Sequence, residues 1–255
     1  MSNAGRKRVL VTGATGAVGR VAVRALRAAG HEVWGLDLVG SSGCDQFFQG
    51  NLLDEDLVMS ACDCVDVLVH LGAVPDDAPF LSELLPANVG GLYQVLTCAQ
   101  RQGVSRMVLA SSGQVTWHHQ RQGPWPVRTD VPTTPRFWYA VTKELSEIAG
   151  RMFHREYGID VLSVRLGACP RDEDHARELG ETEVSRDVYL SPLDAAQFFS
   201  AAVAAPSGFG FQLVYVCSRA THQVRYDLEP VRALLGYEPR DQWPEHMDEY
   251  WRREV

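Results

Sequence analysis

Residues 8–30 read RVLVTGATGAVGRVAVRALRAAG. Val9, Leu10 and Val11 form a short apolar run of the kind that fills a strand covered on both faces. Glycines follow at 13, 16 and 19, and apolar residues then recur at helical spacing until Gly30 stops them. A chain that passes this abruptly from strand to helix needs residues without a Cβ. One makes the turn, one lets a phosphate approach the backbone, and one packs the helix on the strand. The helix start then offers N–H groups and a partial positive charge to a pyrophosphate. No Gly-Lys-Ser/Thr follows, so the loop is not a Walker loop; the predicted ligand is a dinucleotide.

The same rhythm continues outward. EVWGLD (32–37) reads as a second strand, and DQFFQGNL (45–52) contains a third. LVMSAC (57–62) is a short helix, VDVLVHLG (65–72) a continuous apolar strand, and NVGGLYQVLTCAQRQG (88–103) a helix. RMVLASS (106–112) is another buried strand; a helix from about Trp138 to Tyr157 and the strand DVLSVRLG (160–167) follow. Strands joined through helices must run parallel, and their unbroken apolar character covers both sheet faces. The predicted fold is α/β: a doubly wound parallel sheet of the Rossmann type over residues 6–167. Beyond Gly167 the rhythm breaks. Residues 168–191 are charged and lack periodicity; a helix (192–205), a strand (211–217) and a helix near 228–235 remain. Residues 168–255 are expected to be a small substrate-binding portion packed on the same domain.

With 255 residues, 45% of them apolar, the chain can bury one sizeable core. Its net charge of −8 speaks against a nucleic-acid partner. No run approaches the roughly 18 apolar residues that span a bilayer, and the start, MSNAGRKRVLVTG, does not read as a secretory signal. Six scattered cysteines, without zinc spacing, fit reduced thiols in a cytoplasmic protein with no metal site.

In such a sheet, ligands gather at the carboxyl ends of the strands. Asp37 ends the second strand, where a carboxylate can accept hydrogen bonds from both ribose hydroxyls of NAD and repel a 2′-phosphate. The fourth strand delivers Leu71, Gly72 and Ala73 to that edge, and the fifth delivers Ser111 and Ser112. The helix opening at Trp138 sets Tyr139 and Lys143 one turn apart there. Hydride transfer from an alcohol needs a base for the hydroxyl proton. A free phenol, with a pKa of about 10, is too weak a base near neutrality. A neighbouring ammonium and a positive nicotinamide ring favour the phenolate. Tyr139 is thus the candidate base, Lys143 its support and Ser112 the group that orients the substrate oxygen.

TGATGAVG, VHLGA, GGLYQVL after Asn88, LASS, YAVTK, VRLG and the late LGYEP together resemble the extended short-chain dehydrogenase/reductase superfamily, including the NAD-dependent epimerases and dehydratases. Within it, NVGGLYQVL, VLASSGQV, DVPTTPRFWYAVTK and YLSPLDAAQFF are most similar to the uronate dehydrogenases. The resemblance implies NAD held by Gly13, Gly16 and Gly19 with Thr15, Ala17 and Val18 of the loop. It implies further contacts from Leu71, Gly72, Ala73, Asn88, Ala110, Tyr139 and Lys143. Asn51, followed by Leu52, stands where the family carries an acid facing the adenine. For the substrate, a sugar or sugar acid, it implies Val74, Ser112, Gly113, Gln114, Tyr139 and Ala168, with Arg177 gripping a carboxylate and Arg171 and Arg186 as rivals. Gly113-Gln114 replaces a frequent Asn-His, and Val74-Pro75-Asp76 and Ala168 replace serines. The hydride machinery is intact, while the sugar pocket is altered.

His118 and His119 are candidates for the pocket wall, and Trp138 for a place beside cofactor or substrate. The two long helices carry apolar residues on a second face, which predicts a homodimer. The expected activity is NAD-dependent oxidation of a sugar or uronate hydroxyl. The alternatives are an NAD-retaining sugar or nucleotide-sugar epimerase and, from another class, a non-catalytic NAD-sensing regulator.

Overall fold

The computed structural model describes residues 5–40 and 43–251. Seven parallel strands form one sheet in the order β3-β2-β1-β4-β5-β6-β7. They are β1 (Arg8–Thr12), β2 (Glu32–Asp37), β3 (Gln46–Gln49), β4 (Val67–His70), β5 (Arg106–Ser112), β6 (Asp160–Leu166) and β7 (Phe211–Val216). Alternate residues of β1 enter different cores. Val9 and Val11 pack with helices α1 (Ala17–Ala28), α8 (Pro192–Ala204) and α9 (Glu229–Leu235); Leu10 packs with α2 (Glu55–Ala61), α3 (Gly91–Arg101) and α5 (Trp138–Tyr157). The sheet is therefore doubly wound, as the buried strand pattern requires. The order reverses between β1 and β4, which places a ligand crevice at their carboxyl ends.

Three segments differ from the sequence reading. The helix expected to start at Asn88 is preceded by a wide helical segment, Phe80–Gly90, that contains Pro86. Proline lacks an N–H and clashes with the carbonyl four residues back. The wide turns avoid this: Leu84 N reaches Pro79 O at 3.3 Å, and Gly91 N reaches Pro86 O. Residues 117–122 form an unexpected helix, α4 (Trp117–Gln122). The charged stretch after Gly167 contains α6 (Glu173–Gly180) and α7 (Glu183–Asp187). Each is one buried residue deep, so no apolar stripe announces it. The signals lie in the caps, where Asp172 accepts from His175 N and Thr182 from Ser185 N. Sequence after Gly167 also completes the sheet, because β7 pairs with β6 and α8 packs on α1.

Behind the sheet's carboxyl edge, Arg165 of β6 is 1% exposed and binds Glu147 of α5 through two hydrogen bonds of 2.8 Å. Ser111 donates to the same carboxylate, and Arg165 also donates to Tyr215 Oη at 2.9 Å. Breaking a buried pair strands a charge, whereas replacing both members removes the penalty. Arg165→Met is expected to cost about 3–5 kcal/mol in denaturant unfolding, and Arg165→Met with Glu147→Met to recover most of it. Additive losses in the double variant would show that the two side chains act independently.

Candidate active site

Gly13 closes β1 with φ +68°, and a Cβ there would lie 2.7 Å from Gly72 N, at the end of β4. A Cβ on Gly19 would lie 2.0 Å from Gly13 O. The crossover between β1 and β4 thus admits only glycine at these points. Gly16 caps α1 without a side-chain hydrogen bond, so the first-turn N–H groups face the crevice. Asp37 holds the loop from behind: its Oδ2 accepts from Thr15 N at 2.9 Å and Thr15 Oγ1 at 2.8 Å. Oδ1 accepts from Leu38 N. A pyrophosphate can therefore approach bare backbone at a helix N-terminus, and the residues fit a dinucleotide.

A cavity of about 350 Å³ opens from this loop. Gly13, Gly16, Ala17, Val18 and Gly19 form one end, with Leu71, Ala73 and Ala110 beside them. Ser112, Tyr139 and Lys143 follow, then Gly113, Gln114 and Ala168. Thr15, Asp37 and Gly72 stand one layer behind. Leu52 packs against Gly72, and exposed Asn51 accepts from Leu53 N with its own Oδ1. Asn88 does not face the cavity. Its Oδ1 accepts from Val74 N at 2.8 Å, and its Nδ2 donates to Val74 O and Thr142 Oγ1 at 3.1 Å. Asn88 is a positioning residue that ties the Val74 loop to α5.

Lys143 donates to Ala110 O at 3.1 Å, and its ammonium lies 5.6 Å from the centre of the Tyr139 ring. Burial lowers the Lys143 pKa to about 8. Burial also raises that of Tyr139, and the Asp76 carboxylate raises it further; a hydrogen bond with Ser112 and the charge of Arg171 oppose them. The expected phenolate is not favoured by the protein alone, because desolvation of the charged form and the Asp76 carboxylate outweigh the Ser112 hydrogen bond and the Arg171 charge.

The wall opposite the loop corrects the sequence reading. Arg177 lies on the outer face of α6, with its side chain 73% exposed and paired to Asp174 at 2.8 Å. Its side chain follows the helix away from the cavity. Arg186 donates to Gly180 O and lies outside the wall. Arg171 does face the cavity, but it is bound to Asp76, which also accepts from Gln114 Nε2. His118 is exposed and His119 bonds Pro132 O, while Trp138 is 58% exposed and lies on Phe80. Trp117, Gln120 and Arg121 take the places expected of those histidines. Their i, i+3, i+4 spacing in WHHQRQ marks one helix face, a signal present in the sequence once 117–122 is read as helical.

Residues 9–169 match the model of the NAD dependent epimerase/dehydratase family. The chain belongs to that family. It is an enzyme of NAD-dependent type, with NAD as cofactor. L-arabinose 1-dehydrogenase (NAD(P)(+)) of Haloferax volcanii is 31% identical over 92% of this chain and 96% of its own. Uronate dehydrogenase of Agrobacterium fabrum is 32% identical over 74% of this chain and 71% of its own. A mutant uronate dehydrogenase from Agrobacterium tumefaciens, solved with NAD, superposes with a TM-score of 0.76. It is 27% identical and covers 98% of this chain and 92% of its own. Gly19→Ala is expected to weaken NAD binding roughly 10-fold or more in calorimetry, since the new methyl must displace α1 from the loop. Unchanged affinity would show that the loop does not carry the cofactor.

Proposed function

We propose that the chain oxidises a hydroxyl of a sugar or uronate-like sugar acid and releases reduced NAD. The observation that carries this reading is the meeting of Ser112, Tyr139 and Lys143 in the same cavity as the glycine loop. In this reading Ser112 holds the substrate oxygen, and Tyr139 Oη takes its proton. Lys143 supplies positive charge beside the phenol. NAD supplies the acceptor for the hydride that leaves the same carbon. For an anomeric hydroxyl, loss of a proton and a hydride from the C–O–H unit gives a lactone. The wall formed by α6 and α7, from the 168–255 portion, closes the substrate end. The sugar dehydrogenases among the relatives support the substrate class. Six free cysteines suit the cytoplasm, and among the described residues no helix is long and apolar enough to cross a membrane.

Val141, Leu145, Ile148 and Met152 form an exposed apolar stripe on α5. We propose that this stripe, with Tyr93 of α3, pairs with a second copy. Light scattering is expected to give twice 28.2 kDa, and Ile148→Glu to give the single chain. A monomeric parent protein would remove the proposal.

The central test follows nicotinamide absorbance with NAD and a panel of uronates and neutral sugars. Net NADH formation is expected; tight bound NAD with epimerised sugar and no net NADH would favour internal redox instead. Tyr139→Phe should lower kcat roughly 100-fold or more while retaining NAD. Because burial favours the protonated phenol, oxidation should rise with pH as Tyr139 loses its proton. Lys143→Met removes the neighbouring cation and should move that rise to higher pH. A profile flat from pH 6 to 10 would contradict the role of Tyr139.

A further inference from the structure

The cavity wall holds two arginines of unlike standing. Arg171 is bound to Asp76, whose two oxygens are shared between that guanidinium and Gln114. Its charge is largely spent within the protein. Arg121 lies with its guanidinium carbon 3.3 Å from the centre of the Trp117 ring and gives one N–H to Trp117 O at 3.3 Å. Among the described residues no carboxylate pairs with it. Burial makes its charge less comfortable and the charges of Arg136 and Arg225 add to this, with the Tyr226 hydroxyl opposing them. Arg225 is itself neutralised by Asp187, while Arg136 lies over the Trp117 and Phe137 rings.

A half-buried guanidinium without a counter-charge is costly unless something compensates it. Stacking on an indole holds the planar fork but leaves most of its five N–H donors unused. Such a fork matches a carboxylate or phosphate through two parallel hydrogen bonds. The base of the fork is also fixed. Gln120, the neighbouring residue, accepts from Tyr226 Oη at 2.6 Å through its side chain, and from Arg225 at 2.9 Å and Trp125 at 3.1 Å through its carbonyl. Tyr226 lies parallel to Tyr215 at 4.3 Å, and its hydroxyl presses so closely on Gly113 that a Cβ there would lie 2.1 Å away. A rigid cation thus faces the same cavity as Tyr139.

We propose that Arg121 binds an anionic group, carboxylate or phosphate, carried by the sugar away from its oxidised carbon. This rests on the sugar-oxidising reading above. It moves anion recognition from the segment after β6, where Arg177 points outward, to the helix after β5.

The test compares galacturonate, glucose 6-phosphate and galactose with the NAD-loaded protein, with and without Arg121→Gln. Binding is read by calorimetry in the Tyr139→Phe background, and KM and kcat in the parent background. The expected result is a roughly 10- to 100-fold fall in affinity for an anionic sugar relative to galactose, the weight of a lost charged hydrogen bond. The loss should fall on KM, and Arg121→Lys should restore part of it. Loss confined to galacturonate identifies a carboxylate, and loss confined to glucose 6-phosphate a phosphate. Equal loss for galactose and the anionic sugars, or no loss at all, overturns the proposal. If Arg121→Gln does not fold, the parent protein decides: affinity for galactose above that for both anionic sugars overturns it. Absence of NADH from all three sugars would defeat the sugar-oxidising reading alone, since calorimetry still reports what Arg121 binds.

Discussion

At the crossover between β1 and β4, two backbone segments approach within a distance that excludes any side chain. Gly13 lies against Gly72, and Gly19 lies against Gly13 O. This close approach turns the chain from β1 into α1 with its N–H groups aimed at the crevice, and it sets the end of β4 beside them. Thr12 carries the contact one layer deeper. Its hydroxyl accepts from Gly72 N at 3.2 Å and meets His70 Nδ1 at 2.7 Å. Since Thr12 Oγ1 accepts from Gly72, its proton is free to go to His70. Burial pushes the His70 pKa down to about 3, so the ring stays neutral under the cofactor crevice. A neutral floor there leaves the helix dipole as the source of positive potential for a phosphate.

The candidate catalytic side chains depend on a second anchor. Glu147 lies one turn beyond Lys143 on α5, and it takes hydrogen bonds from Ser111 of β5 and Arg165 of β6. Ser111 adjoins Ser112, so one carboxylate fixes both the helix that presents Tyr139 and the strand that presents Ser112. Arg165 passes the restraint to Tyr215, which shares a hydrogen bond with Thr116 and stacks on Tyr226 at the far wall. Asn88 performs the matching task on the opposite side, joining the Val74 loop to Thr142. A reaction that needs three groups aligned within fractions of an ångström gains from such supports.

The sheet was legible in the sequence because parallel strands buried on both faces leave unbroken apolar runs, and the glycine loop because close approach demands a missing Cβ. The strands after Arg106 and the helix from Trp138 to Tyr157 fall where the pattern puts them. Pro86 concealed the upstream turn of the following segment, because a proline reads as a stop in an ordinary helix and is tolerated in a wider one. The substrate wall was far less legible. Family spacing pointed to Arg177, yet the residue's place on a short, largely exposed helix turns it to solvent. His118 and His119 drew attention by chemistry, but the helix phase turns their neighbours Trp117, Gln120 and Arg121 inward. Site residues set by strand ends follow from topology. Those set by the rotation of a short helix need its boundaries first.

The charges in the cavity make opposing demands, and Asp76 stands at their centre. Its carboxylate neutralises Arg171, which would otherwise attract any anion to that side of the wall. The same carboxylate raises the proton affinity of Tyr139, working against the role of base. Lys143, with its pKa lowered to about 8, is poised to be charged or neutral within the working range, so its help to the phenolate weakens as pH rises. With Arg171 bound to Asp76, Arg121 is the guanidinium of the cavity wall still open to an anionic group. In a substrate placed the other way round, the charge would meet the Asp76–Arg171 pair, whose charges already cancel. The pair thus offers an anion neither net attraction nor net repulsion, and a preference for one pose rests on the attraction of Arg121.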